Sequence, residues 1–170
     1  MIGTANDIVL FLMNAAGDKD KKWEIEEYKE KRSLSQNSYY WVLVGKIAKK
    51  SGVSATEIHN RNLRNLGLVM LFNDKIIPVY IPDTDEAEHQ ALESDTVHMK
   101  PTGQVKEGKD GIMRRCYVML RGSSTFDVEE MTALLNLAVQ DAKALGIETL
   151  TPNELLHMKE LEKQREKQKN

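Results

Sequence analysis

Cysteine is almost absent from this chain. Cys116 stands alone among 170 residues, which excludes an intrachain disulfide and any Cys-x-x-Cys pair. It sits in the apolar run Cys116-Tyr117-Val118-Met119-Leu120, the setting of a buried free thiol in a reducing compartment. Histidine is also scarce. His59, His89, His98 and His157 are scattered and form no His-x-x-x-His pair, so a zinc site is not expected. There is no Gly-x-x-x-x-Gly-Lys loop and no Gly-x-Ser-x-Gly elbow, which leaves ATPase and hydrolase readings without a motif. No cofactor is implied. No apolar run approaches the roughly 18–20 residues of a membrane span. The run from Asp7 to Gly17 has no Lys or Arg before it, unlike a secretory signal, so it reads as a first strand or short helix, and the chain is expected in the cytoplasm.

What is present is the composition of a globular protein: 41% hydrophobic and 29% charged. That is enough for one domain over 1–158, followed by a charged helical tail at 159–170. The net charge of −2 conceals a strong segregation. Lys29, Lys31, Arg32, Lys46, Lys49 and Lys50 stand against Glu30 alone over 29–50, a balance of +5. Residues 96–121 carry six basic and two acidic side chains, a balance of +4. Between these stretches, Asp83, Asp85, Glu86, Glu88, Glu93 and Asp95 share a segment with no Lys or Arg. A nucleic-acid partner is compatible with this pattern if it is confined to one face; separate solvated faces would produce the same pattern.

In chain order, Trp23 and Ile25 alternate with Glu24 and Glu26 as in a strand over 22–30. Tyr40, Leu43, Val44 and Ile47 repeat at helical spacing from about Ser35 to Ser51, with Lys46, Lys49 and Lys50 towards the end that suits cations. Ser54-Ala55-Thr56-Glu57 is a capping-box pattern opening a second helix to Leu66. Residues 68–72 and 75–81 read as a hairpin around Asn73-Asp74, with Pro78 confined to an edge or a bulge. Residues 82–111 read mainly as a long loop, with room for a short helix over 84–93, before a strand from Met113 to Leu120. Asp127 caps a helix bearing Met131, Leu134, Leu135, Ala138, Ala142 and Leu145 on one stripe. Thr151-Pro152-Asn153-Glu154 opens a last helix that becomes too polar to pack and projects. The class is α+β: a small antiparallel sheet with three or four helices.

The chemistry best represented is that of single-stranded nucleic-acid binding, in which cations follow the backbone and aromatic faces stack on bases. Lys31 and Arg32 precede Tyr39, Tyr40 and Trp41, while Arg114 and Arg115 lie beside Tyr117, with Arg121 at the strand's end. Trp41, flanked by Val42, Leu43 and Val44, is expected in the core, and Tyr39 is expected as the exposed ring. Gln36 and Asn37 suit a helix start, either as caps and first-turn residues or as phosphate contacts. Two other classes stay open. Asp83 and Asp85, with Glu86, Glu88 and His89, could hold Mg²⁺ for a nuclease or resolvase. The Leu155–Leu161 face could dock a replication protein.

The string Arg32-Ser33-Leu34-Ser35-Gln36-Asn37, followed by Trp41, Leu43 and Gly45, resembles the signature of the NinB (lambda Orf) recombination proteins of bacteriophages. Ser123-Ser124 ahead of the helix from Glu130 to Gly146 is a second, weaker anchor. The resemblance implies a non-enzymatic, dimeric mediator. Such a protein binds single-stranded DNA and helps load a recombinase onto DNA coated by single-strand-binding protein. It carries Arg32, Gln36 and Asn37 over as signature positions. With the basic and aromatic residues, the candidate DNA-binding set is Lys31, Arg32, Gln36, Asn37, Tyr39, Arg114, Arg115 and Arg121.

Overall fold

The computed structural model describes residues 5–15 and 34–151, together with 153, 154, 156 and 160. The strand expected at 22–30, the residues Lys31 and Arg32, and most of the projecting tail lie outside the described residues. The chain divides into two compact units, Met1–Glu30 and Lys31–Asn170, within the span that composition reads as one domain. In the first unit, α1 (Ala5–Ala15) is a helix opened by Asp7 in its first turn, with Val9, Leu10 and Met13 exposed.

The second unit is α+β. Its helices are α2 (Leu34–Ser51), α3 (Ala55–Leu66), α4 (Asp85–Glu93) and α5 (Val128–Ala144), and its strands are β1 (Pro78–Pro82), β2 (Met99–Glu107) and β3 (Met113–Met119). Helix α2 packs against α3 and α5, and α3 against α4. Tyr40, Leu43, Val44 and Ile47 of α2 meet Met131, Leu134, Leu135 and Ala138 of α5 in one apolar core, which Ile58 and Leu63 of α3 complete. Local chemistry sets the helix limits. Ser54 accepts from the Glu57 N–H at 2.9 Å, Gly67 closes α3 in the left-handed region (φ 73°), and Asp127 and Glu130 form a full capping box on α5.

The sheet is antiparallel in the order β1-β3-β2. Pro78 therefore opens an edge strand, where its missing N–H costs the ladder nothing. Asn73 and Asp74 both have positive φ (47° and 59°), and Phe72 and Lys75 exchange backbone hydrogen bonds across them, so the expected turn is there. The paired arms are shorter than expected. Met70 donates to the Met119 carbonyl (2.8 Å) and Arg121 to that of Leu68 (2.9 Å), which commits the first arm to the extension of β3.

The short helix allowed for over 84–93 is α4, capped by Thr84, but the loop expected over the rest of 82–111 contains strand β2. Strand β2 is exposed along almost its whole length and holds Pro101 and Gly103 at a register shift, so its pairing with β3 defines it, not a hydrophobic pattern. No described helix is long and apolar enough to cross a membrane.

Candidate functional site

The first half of α2 presents each of its polar and aromatic residues to a different environment. Gln36 is buried, and its Nε2 donates to Thr132 Oγ1 of α5 at 3.1 Å. Asn37 is half-buried. Tyr39, expected as the exposed ring, is half-buried against the core, and its hydroxyl accepts from the Leu150 N–H at 2.7 Å. Tyr40 is fully buried; its hydroxyl lies 2.8 Å from His59 Nδ1, and burial raises the phenol well above its ordinary pKa. Asn62 Nδ2 donates to the same hydroxyl at 3.5 Å.

Trp41 reverses the expectation of a core residue. The buried stripe of α2 runs through positions 40, 43, 44 and 47, and Trp41 and Val42 fall beside it, 40% and 52% exposed. The indole meets the Tyr40 ring edge-on at 5.5 Å and tilts over His59 at 4.7 Å. His59 in turn meets His98 at 5.4 Å, the ring planes 87° apart.

Trp41, His59 and His98 line a cavity of about 220 Å³ with Asp95, Ser123 and Ser124. Sites that enclose a drug-sized ligand start near ~300 Å³, so this one suits a single flat ring system. Asn60 orients one wall. Its Nδ2 donates to the carbonyls of Leu92 (2.6 Å) and Ser94 (2.8 Å), which makes Oδ1, 2.6 Å from His98 Nδ1, the acceptor. Neutral His98 therefore carries its proton on Nδ1 and a lone pair on Nε2. Burial lowers the His98 pKa, against a smaller opposing pull from Asp95, and so favours that neutral form. A Cβ on Gly122 would stand 3.3 and 3.4 Å from His98 Cδ2 and Nε2, so a glycine here lets the imidazole edge approach the chain closely.

Four of the six basic residues of 96–121 have partners of their own. Arg114 holds Asp110 through two hydrogen bonds (2.7 and 2.6 Å) and keeps that carboxyl well below the usual range. Arg115 pairs with Asp83 at 2.6 Å, which also engages one of the acids considered for Mg²⁺. Arg121 binds both Glu130 oxygens (2.6 and 3.1 Å) and the Thr125 carbonyl (2.9 Å), and Lys106 lies 3.5 Å over the Tyr80 ring. Tyr117 is buried and its hydroxyl meets Glu88, which also pairs with Arg64, so no stacking face remains beside Arg115. At about 3.3 Å per strand residue, Arg114 stands roughly 20 Å along the chain from Arg121, so the strand does not gather these arginines at one point.

The structure thus does not join Arg114, Arg115, Gln36 and Tyr39 into one surface. It does bring together Trp41, His59, His98 and the two serines, of which the two histidines belong to no sequence motif. Comparison with known proteins finds no matching family model, no similar curated protein and no similar solved structure.

Proposed function

We propose that this chain binds single-stranded DNA, as a non-enzymatic mediator of phage recombination in the host cytoplasm, with Trp41 as the stacking platform for a base. One observation carries the reading. Trp41, from the stretch that resembles the NinB signature, and Ser123-Ser124, from the second stretch, line the same small cavity although they are far apart in sequence. An exposed indole backed by imidazoles supplies a π-face, and the hydroxyls and the His98 lone pair supply polar contacts for a base edge. Lys31 and Arg32, just before α2, are the nearest cations on the N-terminal side of that platform. On the same reading the protein acts as a homodimer and assists a recombinase at DNA coated by single-strand-binding protein.

The test is fluorescence anisotropy of labelled single-stranded and duplex oligonucleotides over a range of salt. Tight, salt-weakened binding that favours single strands supports the reading, because phosphate contacts release counterions. Indole quenching in a Trp23→Phe background would assign the contact to Trp41. Equal affinity for duplex and single strand, or no binding at low salt, would sink it.

A further inference from the structure

A second cluster lies where the first turn of α3 meets the last turn of α4. His89 and Glu93, four residues apart, share one face of α4, and Glu57 reaches them from α3. One carboxylate oxygen from each glutamate and one ring nitrogen of His89 all lie within 4.8 Å of one another. The three side chains come from two helices and include an imidazole, so this is a convergent donor set and not a run of surface acids.

Two details of the packing point the same way. Ser54 caps α3, but the Glu57 carboxylate does not bond back to the Ser54 N–H as the capping-box pattern predicts. The Ser54 hydroxyl instead donates to Glu93 Oε2 at 2.7 Å, so the cap of one helix holds a carboxylate of the other. Glu57 is 5% exposed, and its ion-pair partner Arg61 is 54% exposed on its side chain, so a buried carboxylate relies on a cation that water largely screens. Among the described residues, only Oε1 of Glu57 and Oε2 of Glu93 are engaged, and His89, exposed, makes no hydrogen bond.

We infer that Glu57, His89 and Glu93 form a site for a divalent transition-metal ion, with Zn²⁺ the best fit, clasping the start of α3 to the end of α4. An imidazole with two carboxylates suits Zn²⁺ better than Ca²⁺ or Mg²⁺, which favour oxygen ligands throughout. With bonds of about 2.0–2.2 Å, tetrahedral ligand atoms stand roughly 3.4 Å apart. Closing the set therefore takes about 1 Å of side-chain movement, which exposed His89 and half-buried Glu93 can make around a fixed Glu57. Three protein ligands leave a fourth position for water. The site stands independently of the DNA-binding reading.

The test is a Zn²⁺ titration of the chelator-stripped full chain against a chromophoric chelator, with thermal melting followed in parallel. One equivalent should bind and raise the melting temperature. In His89→Ala and Glu93→Gln, both outside the apolar core, affinity should fall at least about tenfold with the circular dichroism unchanged. Failure of the parent chain to bind Zn²⁺ saturably, or undiminished affinity in His89→Ala, overturns the site.

Discussion

Trp41 tilts over His59 with 4.7 Å between ring centroids, the indole 40% exposed and the imidazole 5%. One face of the indole is therefore held while part of it stays open to a ligand. Because base stacking on an aromatic side chain contributes about 1–3 kcal/mol, Trp41→Ala should weaken single-stranded DNA binding roughly tenfold or more. The cost to folding should stay below the ~3–5 kcal/mol of a buried aromatic truncation. Anisotropy and denaturant melts on the same preparations check both halves. Unchanged DNA affinity would remove Trp41 from the interface.

His98 makes stability depend on pH, with a definite sign. Its folded pKa lies below the ordinary 6.5, chiefly because burial disfavours the imidazolium. Between the two values the unfolded chain binds more protons than the folded one, so stability rises with pH. The His98 contribution is complete above about 6.5, declines as pH falls below it, and is fully lost once pH is under the folded value. Melting temperature should drop on acidification through the histidine range, and His98→Gln should flatten that drop. A parallel pH dependence in parent and variant would place the effect elsewhere.

Gln36 is a signature position that the fold uses internally. It joins α2 to α5 through Thr132, whose hydroxyl donates onward to the Val128 carbonyl at 2.8 Å. Gln36→Ala should cost about 1–3 kcal/mol of stability, since it removes a buried hydrogen bond and leaves space behind. Thr132→Val should overlap with it, so that the double variant loses less than the sum. The DNA affinity of the folded protein should not move. A loss of affinity without a loss of stability would return Gln36 to the interface.

The elements legible in the sequence were those that local chemistry specifies. Ser54, Gly67, Asp127 and Gly146 mark helix ends through caps and left-handed residues, and the α5 stripe follows from its 3.6-residue period. Asn73-Asp74 was readable because few other pairs accept two positive φ values in succession. Strand β2 was not legible, because a polar edge strand is defined by its neighbour. Trp41 misled because its apolar neighbours suggest burial, yet a helix buries a stripe and not a run. Tyr39 misled because the partner of its hydroxyl, Leu150, comes from the far end of the chain. His59, His98 and Ser123 meet only through the packing of α3 and the chain on either side of the sheet, and no spacing rule anticipates that meeting.

Arg32 and Arg114 separate the two basic stretches as DNA contacts. Arg114 is held in a two-bond fork by Asp110, so a phosphate would have to displace a carboxylate already in place. It also lies at the end of β3 farther along the strand from Gly122, which borders the Trp41 cavity. Arg32 precedes α2 directly and sits in the most cationic stretch of the chain. Arg32→Ala should therefore weaken single-stranded binding alike for every sequence and reduce the salt slope by about 0.7, the loss of one phosphate contact. Arg114→Ala should leave both affinity and slope within error. Equal losses in the two variants would mean that the interface runs the length of β3 and that the Asp110 pair opens on binding. A cavity centred on Trp41 would then be an incidental feature of the surface and not its focus.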